Sequence, residues 1–589
     1  MRCRYLHLLA LALFLAALPT AAQHVYRTNF PATENPINQS GNWRNGLAQG
    51  LVWGNVRTQA LVPATGSGNF QSTPGFAYGT TTTTSCAFNF GNCNDSVATL
   101  SNIAWATPQM VCGTVHLNTS GFNRNASFTE IELLTNYSIA ANSLTGYEFN
   151  YSTHDDSNAP YTEIVRINGP QNNFTILDHV APTTVMADGQ LFCAFHFSNG
   201  NLQTYIDGVP QHGTVHDTTY TGGAPGMGFF NQNGTLADNS HFGFYDLEAR
   251  DSFNLLADGN EATVNAAVAS GSTTDGMTLF IPNGTYAWTG TGFATSKQIG
   301  ISGLSAGGVN TIIKNGYTAV DHLMNFTTGA SFNTELDHIQ FFYDGVNCKS
   351  ELGNCSGYVG VGGTGLPILI HDGRSDGLDF ASSSNTTVWG MDAKGGVFWN
   401  WQFTCEDYAG SHGGCDSGSV SVKPGNWDAP STMGILDTNE ATNVYIEDSK
   451  AFNQGQFPDV DSGGKIVIRY TQMVNSDGLT HGATSGTGGG GRHVEFYQDS
   501  FNYIPCIPGG CTCLTNTHTT PNTRVISDWF WFRGGTGVFW NTNFDLINTG
   551  SCSGIGGLAA FTAENITTGM GGLACCIGYQ CWHQPGSGS

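Results

Sequence analysis

Between Asn439 and Phe501 the chain gathers groups suited to acid–base chemistry: Asp459, Asp461, Arg469, Asp477, His481, Arg492, His493 and Glu495. A histidine titrates near neutrality and can take a proton. An arginine next to a substrate carboxylate neutralises it and makes the adjoining C–H bond easier to break. Arg469, His481, Arg492, His493 and Glu495 are therefore candidate catalytic residues for elimination on a uronate polymer. Asp459 and Asp461, two apart in PDVDSGG, form a candidate Ca²⁺ site completed by backbone oxygens. No other cofactor is indicated. The same region holds Asp437, Glu440, Glu447 and Asp448. Glycoside hydrolysis needs two carboxyl groups about 5 to 9.5 Å apart, which neighbouring strands can supply. Two Trp/Phe-rich phrases, FWNWQF and DWFWFRGG, offer flat apolar faces to sugar rings. They make Trp401, Trp529, Trp531 and the adjoining Arg533 candidate substrate contacts. Each residue also has a plain structural use, because Asp before Gly makes turns and Arg, Asp and His tie strands together. The clustering carries the inference, more than any single member. GATSGTGGGGRH matches neither a phosphate-binding loop nor a dinucleotide fingerprint.

These groups need a scaffold. NVYIEDSKAF, KIVIRYTQMV and HVEFYQDSF alternate apolar and polar residues, as half-buried strands do. Ile446 and Ile468 are 22 residues apart, and Ile468 and Phe496 are 28 apart. Such spacing with Gly/Asn turns predicts coils stacked into a solenoid, each too small to bury a core alone. Similar phrases stand earlier (KQIGISG, NTIIKNG, HLMNFTTG, ELDHIQFFYDG, LPILIHDG) and later (VISDWFWFRGGTGVFWNTNF). NEATVNAAVAS predicts a short helix just ahead of LFIPNGTY. That opening and the repeated phrases resemble right-handed parallel β-helix proteins of the pectate-lyase-like superfamily. The resemblance implies a helix capping the first coil, and a groove used for lyase or hydrolase chemistry or for binding alone. It spans residues 252–582, with 583–589 a flexible tail.

From Ser127 to Asp251 closely spaced strands predict a β-sandwich. Residues 23–125, with Trp43, Trp53 and Trp105, read as irregular β structure belonging to it. GYEFNYS, YTEIVRINGP, LQTYIDGVP and FGFYDLEARD resemble the concanavalin A-like lectin/glucanase (laminin-G-like) fold. The glucanases of that fold carry an E-x-D-x-x-E type pattern, which is missing. Glu130 and Glu132 share a strand face and are expected to be solvated, so the resemblance implies a binding or spacer module. The expected fold class is all-β, a jelly-roll sandwich over 23–251 followed by a right-handed parallel β-helix solenoid.

The 589 residues bear a net charge of −24, with only 11% charged and 78 glycines. Such a chain favours turns and strands, and its acidity argues against nucleic acid as a partner. Residues 1–22 read as a secretory signal, and no later run is long enough for membrane insertion. Sixteen cysteines, several in close pairs such as Cys86/Cys93, Cys348/Cys355, Cys405/Cys415 and Cys506 with Cys511 or Cys513, suit disulfides outside the cell. The expected partner is an extracellular polysaccharide, and the protein is expected to be secreted or at the cell surface. Cleavage is expected by a lyase in preference to a hydrolase, the rival being a surface protein that only binds.

Overall fold

The computed structural model describes residues 23–46, 53–62, 74–80, 95–118, 129–152, 159–170, 173–231, 239–317, 322–343 and shorter runs between 358 and 563. The signal segment, the four cysteine pairs named above, and Asp461, His481, Arg492 and Arg533 lie outside the described residues.

The chain is all-β apart from one α-helix and short 3₁₀ turns among the described residues. The first half forms two antiparallel sheets. One runs Phe174–Val180, Tyr161–Gly169, Ser143–Ser152, Thr129–Ala140, Ala224–Asn231, Ser96–Thr99, Arg44–Asn45. The other centres on Gln109–Leu117, flanked by Leu191–His196 on one side and by Phe242–Phe244 and Leu247–Arg250 on the other. Strands from the irregular early segment, Val25–Thr28 and Val56–Gln59 among them, are built into these sheets. Alternate residues such as Ile131, Leu133, Phe149 and Phe192 point into a shared core, as the period of two requires. A disulfide, Cys112–Cys193, joins the two central strands. Its partners are 81 residues apart, so no local spacing marked it.

The second half is built differently. Among the described residues every strand pairing is parallel, and each sheet gains its strands in chain order. The largest sheet runs Phe253–Leu255, Thr278–Phe280, Gly300–Ser302, Glu335–Asp337, Ile368–His371, Gly396–Trp399, Val444–Glu447, Lys465–Arg469, His493–Tyr497, Thr536–Trp540. A nine-stranded sheet, from Gly284–Trp288 to Asn543–Leu546, takes the next strand of each repeat. Ile446, Ile468 and Phe496 stand in register, as their spacing predicts. They belong to an inward column, Leu336, Ile370, Phe398, Ile446, Ile468, Phe496, Phe539, which is almost wholly buried. Phe496 and Phe539 stack at 4.6 Å. Trimming Ile468 to Val removes one methylene from this dry column. It is expected to cost about 1 kcal/mol, read as a shifted urea midpoint with an unchanged slope.

The helix Glu261–Ala269 sinks Val264 and Val268 into the same core. Its Glu261 accepts backbone N–H groups from Thr289, Gly290 and Gly292, at 3.1, 2.8 and 2.8 Å. The two halves meet through Phe195, Tyr205, Phe253, Phe280 and Leu304.

One detail recurs along the largest sheet. The residue after each of its last seven strands has a left-handed backbone: His338, Asp372, Asn400, Asp448, Tyr470, Gln498 and Asn541, with φ between 47° and 57°. That conformation is disfavoured for side chains other than Gly, Asn and Asp. From His338 to Gln498 it is held because the N–H still reaches the next strand, as Asp448 to the Arg469 carbonyl (3.1 Å) and Tyr470 to the Tyr497 carbonyl (3.1 Å).

Candidate functional site

A residue beside the inward column must point outward, because successive side chains alternate. Pairing register therefore defines an outward row: Ser302, Asp337, His371, Trp399, Glu447, Arg469, Tyr497, Trp540. Neighbouring members are about 4.8 Å apart. The early part of this row faces the sandwich strands Val25–Thr28 and Leu247–Arg250 across a cleft of about 370 Å³. Arg27, Asp246 and Glu248 line one wall; Asp337, His338, His371, Asp372, Trp399 and Glu447 line the other.

The floor is a buried charge network. Glu335 is gripped by Arg27 and Arg250, and both arginines also bind Glu248. His371 lies between two carboxylates, with Nε2 2.8 Å from Glu335 Oε1 and Nδ1 2.8 Å from Asp372 Oδ2. His338 Nδ1 is 2.7 Å from Asp337 Oδ1, which also accepts from the Ser302 hydroxyl. Asp337 Oδ2 is buried with no hydrogen-bond partner. Glu335, Asp337 and His371 are close enough together to suggest a metal site. The two guanidinium groups on Glu335 already supply the positive charge there.

Burial alone would lower the pKa of both histidines. For His338 it is outweighed by the hydrogen bond and charge of Asp337 and then by Asp372, which hold it up to about 9. His371 is held well above its usual range, burial being overcome by hydrogen bonds to Asp372 and Glu335. Glu335 is held well below the usual carboxylate range, burial being overcome by Arg250, Arg27 and His371. Asp372 is lowered against burial by its bond to His371 and the charges of both histidines. Asp246 goes the other way: burial, then the Asp372 charge, push it up to about 6. Its Oδ1 accepts the Thr114 N–H at 2.8 Å.

These shifts give stability a pH dependence. A histidine raised in the folded state stabilises fully below its unfolded value, about 6.5. That contribution is lost as pH rises through about 9 for His338. Glu335 and Asp372 act oppositely, their contribution being lost as pH falls through their lowered values. The thermal midpoint is expected to decline from neutral pH toward pH of about 9, with a shallower decline in His338→Asn. Equal slopes in the two proteins would show that His338 is not charged in the native state.

The sequence-predicted residues are divided by the structure. Arg469 stands in the row, ion-paired with Glu447 and over the Tyr445 ring at 5.1 Å. Glu495 is buried two residues before Tyr497, whose hydroxyl donates to it at 3.0 Å. His493 begins the same strand, and Asp459 begins the short strand Asp459–Val460 of another parallel sheet. Trp529 and Trp531 lie on the strand Asp528–Phe532 of that sheet, whose Phe530 is in the core. Trp401, expected to meet substrate, is fully buried, its indole N–H donating to Ser375 Oγ at 3.2 Å. The left-handed Asn400 breaks the alternation, so Phe398 and Trp401 both turn inward and Trp399 takes the outward place.

Asp337, His338, His371, Asp372 and Trp399 were missed. Aligning ELDHIQ, LPILIHDG, GVFWN and VYIEDS on their inward residue would have shown the outward column. Asp246 comes from the sandwich, and no repeat could reveal it. Glu130 and Glu132 are also corrected. They face away from the sandwich core, yet Glu132 is wholly buried, and burial followed by Glu148 pushes Glu130 up to about 8.

No family profile and no curated protein matches the chain's sequence. Among solved structures it is similar to carbohydrate-binding module CBM66 from Bacillus subtilis, at 12% identity over 33% of this chain and 96% of that one, TM-score 0.21. It is also similar to β-agarase A from Zobellia galactanivorans (13% identity, 40% and 94% covered, TM-score 0.24). The β-porphyranase BpGH16B from Bacteroides plebeius gives 9% identity, 40% and 94% covered, and TM-score 0.19. Likeness at that level carries no inference about activity.

Proposed function

We propose that the chain is a secreted, polysaccharide-active protein that hydrolyses glycosidic bonds in the cleft between its two halves. In this reading residues 23–251 are a concanavalin A-like sandwich and 252–582 a right-handed parallel β-helix. The chain-order growth of every parallel sheet supports the second assignment. The observation that carries the functional reading is the opposition of Asp246 and Asp372 in one cleft. Asp246, held up to about 6, keeps its proton in mildly acidic solution, where an ordinary aspartate has lost it; Asp372 is held ionised. Glycoside hydrolysis requires such a split pair, an acid for the leaving oxygen and a carboxylate for water or the anomeric carbon. Asp246 is the acid and Asp372 the base or nucleophile, positioned by His371. Trp399 and, farther along the row, Tyr497 and the exposed Trp540 are placed to stack on sugar rings.

Elimination becomes the weaker reading. It needs a cation turned to the substrate carboxylate, whereas Arg469 is paired with Glu447, and Arg27 and Arg250 with Glu248 and Glu335. The experiment is digestion of a panel of neutral, sulfated and uronate polysaccharides, scored for new reducing ends and for the ultraviolet absorbance of unsaturated uronate. Reducing ends without that absorbance support hydrolysis. The absorbance overturns it in favour of a lyase. Neither signal, with retention on an immobilised glycan, leaves a protein that only binds.

A further inference from the structure

A second group of carboxylates lies on the sandwich, away from the cleft. Glu132 and Glu148 project from adjacent strands on the side opposite the sandwich core, and Asp95 approaches just ahead of the strand Ser96–Thr99. One oxygen from each lies within 4.8 Å of the others. Glu132 is wholly buried, and neither of its carboxylate oxygens has a hydrogen-bond partner. Glu148 receives one bond, from Asn150 Nδ2 at 3.1 Å, and Asp95 one from the Trp53 side chain. Among the described residues no ion pair links Lys, Arg or His to any of the three. Two buried carboxylates and a third beside them, without a cation, would repel one another and forgo hydration. The trio around Glu335 shows the contrast, since two arginines fill it. Space for Glu132 is also specific: a Cβ at Gly228 would lie 1.9 Å from its Oε2.

We propose that Asp95, Glu132 and Glu148 bind a hard divalent cation, calcium in preference to magnesium. The donors are all oxygens, which excludes a preference for soft metals. They come from three separate segments at irregular spacing, which the variable coordination of calcium accepts. Magnesium demands a near-ideal octahedron and keeps several waters, for which a buried trio leaves little room. The bound ion would fasten the segment around Trp53 and Asp95 across the sheet. It would act on stability and not on the cleft chemistry.

The test uses the full-length protein, stripped with chelator and titrated with CaCl₂ by calorimetry, with the thermal midpoint followed in parallel. Terbium luminescence sensitised through Trp53 gives a second readout. Wild type is expected to show a saturable site, a calcium-dependent rise in midpoint and a terbium signal that calcium competes away. Glu132→Gln and Glu148→Gln are expected to weaken calcium at least about tenfold while staying folded by circular dichroism. Glu132→Gln is also expected to melt higher than wild type without calcium, since it relieves the repulsion. An absence of calcium-dependent heat and midpoint shift in wild type would overturn the proposal and leave a proton-sharing cluster. Binding that survives both variants but is lost in Asp459→Asn would overturn it too, placing the ion on the parallel sheets.

Discussion

Arg250→Ala is expected to lower the free energy of unfolding by about 3 kcal/mol or more. Arg250 is only 2% exposed and reaches Glu248 and Glu335 together, across the join between the two halves. Removing it strands the buried Glu335 and the partly buried Glu248, and that uncompensated charge, not the lost attraction, sets the size of the effect. Arg27 still touches both acids, which places the loss near the lower end of the usual range. Arg27 itself is a third exposed, so Arg27→Ala is expected to cost less, about 1 kcal/mol. Adding Glu335→Gln to Arg250→Ala should recover part of the loss, because the charge left without its partner is gone. Urea midpoints and slopes for the four proteins check the ordering. If Arg250→Ala and Arg27→Ala cost the same, the network does not work through burial.

The largest effect on activity is expected from Asp246→Asn. Removing a general acid slows the reaction by about 10² to 10⁴. Asparagine keeps an oxygen for the Thr114 N–H, so the fold should persist. The pH profile makes the claim specific. The acid must carry its proton, so kcat/KM should fall as pH rises through about 6. Asp372→Asn is expected to cost a similar factor. It should also move the alkaline limb of the residual activity to lower pH, because the Asp372 charge helps to hold the Asp246 proton. A profile in Asp372→Asn that is scaled down but unshifted would remove Asp246 from the role of acid.

Much of the scaffold was legible because a period of two and a repeat in the twenties are both set by backbone geometry. Ile446, Ile468 and Phe496 alone located three strands in register. The helix Glu261–Ala269 was legible from its position and composition. What stayed hidden has two causes. Alternation tells which residues share a face but not what covers it; Glu132 looked solvated until the Trp53 and Asp95 segment was seen to lie over it. It also fails at a turn, and one left-handed residue, Asn400, was enough to send Trp401 inward. The site itself draws Asp246 and Asp372 from different halves of the chain. No local pattern encodes that meeting, which depends on Phe195, Phe253 and Phe280 packing the halves together.

The outward row has an evolutionary consequence. Each repeat contributes one side chain to it, and the backbone that holds that side chain is complete within its neighbours. The chain between successive members varies from 22 residues, Glu447 to Arg469, to 48, Trp399 to Glu447, without loss of register. Doubling a loop costs only about 0.6 kcal/mol. The row can therefore be edited like a word, one letter at a time, while insertions accumulate elsewhere. Descendants of one ancestor could diverge in the side chains they present outward yet keep the same hydrophobic spine.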